Sequence, residues 1–257
     1  MKEEYVSETE AKKFSRRSWL SLAAFAGLGA AGYAGWRWLG NQPLDGGIRG
    51  GIRQPLRDGL NATDAFFEKT FDPDRLIREY PVSQAVRFPR ANGAAGLDPA
   101  GFDPAAWSLH VTRANGQVLT IGLDDLKRVP KTKVVFNFKC IEGWSQIQHW
   151  GGLRFSEFVQ HFGLQKEAAR AYVGMSTPDE EYYVGIDRLS ALHPQTLLAY
   201  EMSGQPLTDL RHGAPLRLII PVKYGVKHLK RIGTLFFSDE RPPDYWAERG
   251  YDYYIGH

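Results

Sequence analysis

Apolar and polar positions alternate in short registers along most of the chain. Trp107 to Val111 and Gln117 to Ile121 read as strands, and Asn115-Gly116 between them is a strong hairpin signal, since both residues tolerate the positive φ of a tight turn. Leu123 to Lys127 predicts a short helix, and Lys133 to Phe138 predicts a strand running up to Cys140. Ser156 is placed to cap a helix ending at His161, with Phe155, Phe158, Val159 and Phe162 on its apolar face. Ala171 to Met175, Tyr182 to Ile186, Leu216 to Val222 (interrupted by Pro221) and Thr234 to Ser238 complete the expected strands. The pattern is a mixed, β-rich domain rather than a βαβ repeat, and neither a Rossmann fingerprint nor a P-loop occurs.

Upstream the periodicity changes. Asn61 to Glu79 is helical in pattern, with Asp72-Pro73 as a turn or helix start, and Asn92 to Pro104 is a Gly/Pro-rich loop. Residues 41–60 read as a linker, rich in Gly, Pro and Arg at its start, so the chain divides into 1–40, this linker and a domain over 61–257. In the first part Ser15-Arg16-Arg17-Ser18-Trp19-Leu20 precedes an apolar run ending at Trp36. Paired arginines before a moderately apolar stretch are the twin-arginine export signal, and a plain signal anchor is the other reading. Gly32-Tyr33-Ala34 is a passable cleavage site, but Trp36-Arg37-Trp38 suits an aromatic anchor at a membrane interface, so an uncleaved segment is expected. Either reading carries the body of the chain across the bacterial inner membrane to its periplasmic side.

Composition narrows the chemistry. The chain has 257 residues, a formal net charge of +3 and one cysteine. That charge is too small for a nucleic-acid partner. A lone thiol excludes an internal disulfide, CxxC zinc sites, cysteine-ligated clusters and the CxxCH haem attachment.

Cys140 itself admits three readings: a buried small hydrophobe, a nucleophile needing a base such as His149 or His161, or a soft thiolate ligand to a metal held mainly by something else. The C-terminal half bears on the third. His212-Gly213-Ala214-Pro215-Leu216-Arg217 leads into a buried strand, and then Lys223 to Arg231 places five basic residues among nine. Gly225 is expected to allow a tight turn. Fixed positive charge and backbone N–H groups suit a phosphate, whereas a solvated basic turn is the plainer alternative.

Several ordered motifs then coincide. Cys-Ile-Glu-Gly-Trp-Ser at Cys140, Leu-Leu-Ala-Tyr-Glu-Met-Ser-Gly at Leu197, the segments from His212 and Lys223, and Pro243-Asp244-Tyr245-Trp246 through Tyr251 together resemble the sulfite oxidase superfamily of molybdopterin enzymes, over about Ala85 to Tyr254. The resemblance implies an α+β, sulfite-oxidase-type molybdopterin-binding domain, with Mo-molybdopterin as cofactor and Cys140 as the one protein ligand to the metal. It implies cofactor contacts at Arg90, Asn92, Thr177, His212 and Arg217, and a phosphate loop at Lys227, His228, Leu229 and Lys230. Tyr251 resembles the tyrosine beside the metal, and a packed C-terminal aromatic is its plainer reading.

Two departures bear on substrate. Animal and plant sulfite oxidases place a sulfite-binding arginine where this chain has Ser145, and the Cys-x-Glu-x-Trp-Ser pattern is similar to the catalytic subunits of bacterial periplasmic methionine sulfoxide reductases. His212, an asparagine in those subunits, is instead similar to sulfite oxidases. The implied activity is oxygen-atom transfer, reducing an S-oxide such as methionine sulfoxide, with sulfite oxidation as the alternative. A non-catalytic tethered binding domain is an alternative of another class, against which Cys140 counts. The lack of any haem, cluster, flavin or nicotinamide motif implies an external electron carrier, either a membrane haem protein or a cytochrome c.

Overall fold

A computed structural model describes residues 8–46 and 51–257. Residues 1–7 of the expected export segment and 47–50 of the expected linker lie outside the described residues. Helix α1 spans Glu8–Gly40 and α2 spans Gln54–Thr70. The second helix starts earlier than its periodicity suggests, because Pro55 sits in the first turn, where a missing N–H costs nothing. It also ends before Asp72-Pro73, so the expected helical stretch to Glu79 is not formed. Along α1, Trp19, Phe25, Tyr33 and Trp36 are exposed. Among the described residues no helix is long and apolar enough to cross a membrane. Gly27, Gly29, Gly32 and Gly35, with Ser21, Tyr33 and the flanking Trp19 and Trp36, dilute the apolar run.

The body contains two sheets. In the first, β1 (Leu109–Thr112) and β2 (Val118–Ile121) form the expected hairpin. Helix α3 (Leu123–Lys127) follows. In the second sheet, β3 (Thr132–Lys139) pairs with β4 (Ser145–Arg154), which runs straight into α4 (Phe155–His161). Arg154 occupies the N-cap of α4 without a side-chain bond, so Ser156 does not cap it as expected, although Phe155 and Phe158 are fully buried as its apolar pattern requires. Strands β5 (Tyr172–Ser176) and β6 (Tyr183–Asp187) precede α5 (Arg188–Ala191), and β7 (Leu197–Met202), β8 (Gln205–Pro206), β9 (Arg217–Ile219) and β10 (Thr234–Ser238) complete the fold. The first sheet has the order β2-β1-β10-β5-β6, with β1 and β10 parallel. The second has the order β3-β4-β7-β8, and β9 also pairs with β7.

The main core fills the space between the sheets. Val111, Val173 and Leu235 reach it from the first sheet, and Leu153, Leu198 and Leu218 from the second. A second apolar cluster lies on the opposite face of the second sheet. Val134, Phe136, Phe138 and Cys140 all belong to it, because alternate residues of a strand share a face. The phase of β3 therefore aims the cysteine away from the main core.

Strands β4 and β7 were not expected. Gly151-Gly152 is a pair that favours turns, yet both residues are in strand. The register shifts there: Gly151 pairs with Glu201 and Gly152 with Ala199, leaving Tyr200 as the extra residue of a β-bulge. The bulge reverses the facing of β7, so Met202 joins Leu197 and Ala199 on the Cys140 side. A side chain at Gly152 would have its Cβ 2.1 Å from the Leu198 carbonyl oxygen, whereas at Gly151 the nearest atom is the movable Glu201 carboxylate at 2.8 Å. Gly152→Ala is accordingly expected to destabilise the protein by about 2–3 kcal/mol and Gly151→Ala by about 1 kcal/mol or less. Denaturant midpoints compared with wild type test the contrast, and equal shifts for the two variants contradict it.

Candidate active site

The β3–β4 hairpin builds the first wall. Cys140 N–H donates to the Trp144 carbonyl (2.9 Å) and Gly143 N–H to the Cys140 carbonyl (3.1 Å). Gly143 has φ +87°, a left-handed conformation that closes a three-residue hairpin loop without a Cβ penalty. Trp144 stacks on Phe138 at 5.8 Å, and its indole N–H donates to Glu142 Oε2 (2.8 Å), which holds that carboxylate beside the thiol. Burial raises the Cys140 pKa, with the Glu142 charge adding to it and Arg90 opposing.

A cavity of about 300 Å³ opens over Cys140. Of the residues assigned by resemblance, Asn92, Cys140, His228, Lys230 and Tyr251 line it. Glu142, Tyr182 and Trp246 line it too. Glu142 and Trp246 stood inside the quoted motifs without a role, and Tyr182 read only as a strand residue. Neither His149 nor His161 lines the cavity, so the imidazole that shares it with Cys140 is His228 rather than either base considered from sequence.

The segment from Lys223 to Arg231 is not a solvated turn. Lys223, Lys227, His228, Lys230 and Arg231 are all buried. Gly225 is needed for clearance rather than for a turn, since a Cβ there would meet the Phe138 ring at 2.6 Å. Two of the cations are neutralised: Lys223 pairs with Asp187 at 2.9 Å, and Lys227 pairs with buried Asp244. Lys227 thus turns its ammonium to the Asp244 carboxylate and the Gly185 carbonyl, and Leu229 packs into the main core. Neither side chain lines the cavity.

Arg217 and Lys230 differ. Both are buried and, among the described residues, neither has a carboxylate within ion-pairing distance. Arg217 donates to the carbonyls of His212 (3.0 Å) and His228 (3.4 Å), lies over the Trp150 ring at 4.6 Å, and leaves its Nε unpartnered. Burial pushes its pKa down to about 9. Lys230 Nζ donates to the carbonyls of Asn92, Gly93 and Arg211. Burial, then the Arg217 charge, lowers its pKa to about 7. Three carbonyl acceptors nevertheless match all three ammonium hydrogens, so the geometry holds the charged form. His228 donates from Nε2 to the Lys223 carbonyl (3.1 Å), which leaves Nδ1 as a buried acceptor without a partner. Burial and Arg217 hold its pKa at about 3, so the ring is neutral at pH 7.

The remaining assigned residues surround this cluster. His212 lines a neighbouring cavity of about 260 Å³ with Arg87, Phe88 and Arg211, and burial followed by Arg217 lowers its pKa to about 4. Lys230, through the Arg211 carbonyl, sits between the two cavities. Thr177 is fully buried behind Gly96, where its hydroxyl bonds Asp179 at 2.5 Å and leaves 2.6 Å to a Cβ at that glycine. Arg90 lies outside the cavity, over the Trp144 ring at 5.0 Å and 3.9 Å from Glu142. Tyr251 is 41% exposed, packs edge-on against Trp246 at 5.0 Å, and its hydroxyl has no hydrogen-bond partner among the described residues.

This donor set fits a pterin-bound molybdenum cofactor. Uncompensated buried cations fit an anionic phosphate, an unpartnered imidazole acceptor fits a ring N–H, and a buried thiol fits a soft metal. Among the described residues no three His, Cys, Asp or Glu side chains form a metal-ligand set of their own.

Comparison with known proteins agrees. The family model described as the oxidoreductase molybdopterin-binding domain matches residues 96–246. A putative protein-methionine-sulfoxide reductase subunit, YedZ1, of Azospira oryzae is 36% identical, over 72% of this chain and 70% of that one. The protein-methionine-sulfoxide reductase catalytic subunit MsrP of Ralstonia nicotianae is 33% identical, over 63% of this chain and 55% of that one. The mitochondrial sulfite oxidase of Rattus norvegicus is 29% identical, over 70% of this chain and 37% of that one. The match thus spans about half of the Ralstonia protein and little more than a third of the rat enzyme. From the matched domain and the site it encloses, the chain belongs to the oxidoreductase molybdopterin-binding domain family and is a molybdenum-dependent oxidoreductase.

Proposed function

We propose that the chain reduces an S-oxide, such as methionine sulfoxide, to the sulfide. The balance is one sulfoxide, two electrons and two protons in, one sulfide and one water out. The cofactor, when bound, supplies the two-electron oxygen-atom-transfer chemistry. Cys140 contributes its thiolate to the metal, which requires loss of the thiol proton on loading. Arg217, Lys230, His228, His212 and Asn92 would hold the pterin and its phosphate, with Arg90 outside the cavity over Trp144, Thr177 bracing the loop at Gly96, and the backbone rather than the side chains of Lys227 to Leu229 available to the group. Tyr251 donates its free hydroxyl to the S-oxide oxygen.

The observation that carries the substrate is the charge on the cavity wall. Only Glu142 and Lys230 among its lining side chains are charged, and all three Lys230 donors are engaged. A sulfite dianion would meet a carboxylate beside Cys140 and, with the Lys230 charge committed to the cofactor's phosphate, find no further cation on the lining. A neutral sulfoxide meets Trp246, Tyr182 and a hydroxyl donor instead, and loses nothing from Glu142. The repulsion is about 1 kcal/mol, since Glu142 is half exposed and screened. The relatives named as methionine sulfoxide reductase subunits support the same substrate class, and the word subunit supports an outside electron source. A membrane haem protein or a cytochrome c fills that role, at the periplasmic side of the inner membrane, after twin-arginine export directed by Arg16 and Arg17.

Two outcomes follow. Purified protein is expected to carry close to one molybdenum per chain, and Cys140→Ser to remain folded while losing turnover, by metal analysis, circular dichroism and dye-linked assay. A fully active serine variant contradicts the thiolate role. On one molybdenum-loaded preparation, reduced dye is expected to drive sulfoxide reduction faster than sulfite is oxidised, and Glu142→Gln to shift the ratio several-fold towards sulfite. Saturable sulfite oxidation without sulfoxide activity reverses the assignment.

A further inference from the structure

The cavity's outer wall is the C-terminal strap from Asp244 to Tyr254. It carries Trp246 and Tyr251, and it has little regular structure of its own beyond a 3-10 turn at Ala247–Arg249. Such a segment needs outside contacts to keep its side chains in place. One of these comes from far away in sequence. Arg57, on the first turns of α2, donates from Nη1 to the Tyr251 carbonyl (3.1 Å) and from Nη2 to the Ala247 carbonyl (2.5 Å). Its Nε donates to Asp45 Oδ2 at 2.6 Å, and both side chains are largely buried, at 14% and 10% exposure. Asp45 is itself fixed, since its N–H donates to the Ile52 carbonyl (2.8 Å). Ile52 in turn stands so close to the strap that a Cβ on Gly250, at φ +92°, would lie 2.6 Å from its Cγ2.

We infer that Arg57 is a positioning residue for the active site: a planar guanidinium, oriented by Asp45, that clips the two ends of the Ala247–Tyr251 turn and so sets where Trp246 and Tyr251 face the cavity. One carbonyl follows directly on Trp246 and the other is that of Tyr251 itself, so one side chain registers both. A lysine cannot replace this, because the fork makes three directed bonds at once. The working domain therefore begins at Asp45, and the stretch expected to be a linker is part of the site's frame. The inference does not depend on which substrate the enzyme consumes.

The test uses full-length, molybdenum-loaded protein. Arg57→Ala is expected to accelerate amide hydrogen exchange of residues 248–251 at least about tenfold, leaving β3 and β4 unchanged, since the strap loses its outside anchor. It is also expected to lower kcat/KM about tenfold at unchanged molybdenum content, on the S-oxide or on sulfite, whichever wild type consumes. In a Tyr251→Phe background the same substitution is expected to cost less than about threefold, because the misplaced hydroxyl is already gone. Arg57→Lys should fall between, and together with Asp45→Asn it carries the test should the alanine variant fail to fold. Unchanged exchange at 248–251 overturns the clamp. Faster exchange with unchanged kcat/KM, or a full tenfold loss that persists in the Tyr251→Phe background, overturns its role in positioning the site.

Discussion

A guanidinium buried without a carboxylate is the constraint around which the rest of the site is arranged. Taking Arg217 out of water costs several kcal/mol, and two carbonyls and the Trp150 face return only part of it. The Lys230 ammonium repeats the problem on the cavity wall. Nearby Lys223 and Lys227 show that the fold can supply buried carboxylates when neutralisation is required. Arg217 and Lys230, like Arg231 away from the cavity, have no carboxylate partner among the described residues, a local cost that a bound anion would offset for the first two. Burial, with the same charge adding to it, keeps the surrounding imidazoles His212 and His228 neutral, so they accept or donate hydrogen bonds without adding charge.

The geometry that exploits this charge comes from two backbone decisions. Strict alternation in β3 puts Cys140 on the outer face of the second sheet, and the Gly151-Gly152 bulge keeps β7 wrapped on that face. The strap then covers the thiol from outside. It is held from below by Lys227 on Asp244 and from the N-terminal side by Arg57 on Ala247 and Tyr251. The thiol, the buried cations and the outer cavity wall thus come from three separate segments: the second sheet joins the first two, and buried polar bonds tie the strap to the fold.

What the sequence made legible follows from how local each signal is. The Asn115-Gly116 hairpin, the α3 helix and the apolar face of α4 depend on neighbours within a few residues, and they were readable. Strands β4 and β7 were not, because Gly151-Gly152 carries turn chemistry and its strand role depends on the backbone of Leu198 and Ala199 across the sheet. The lone cysteine and the basic run were visible as a pair, and the motif resemblance joined them. Which of the basic residues would face the cavity was not visible, since the partners of Lys223 and Lys227, Asp187 and Asp244, lie far off in sequence. Arg57 looked like linker composition for the same reason.

On the proposed reading, this buried positive charge is complete only with the anionic cofactor in place. Thermal unfolding of the same protein purified with and without molybdopterin measures that directly. Because a ligand that binds only the folded state at about a thousand times its dissociation constant adds about 4 kcal/mol, the cofactor-loaded form is expected to unfold at least about 8 °C higher for a chain of this size. Coincident unfolding temperatures for the loaded and cofactor-free forms would contradict it.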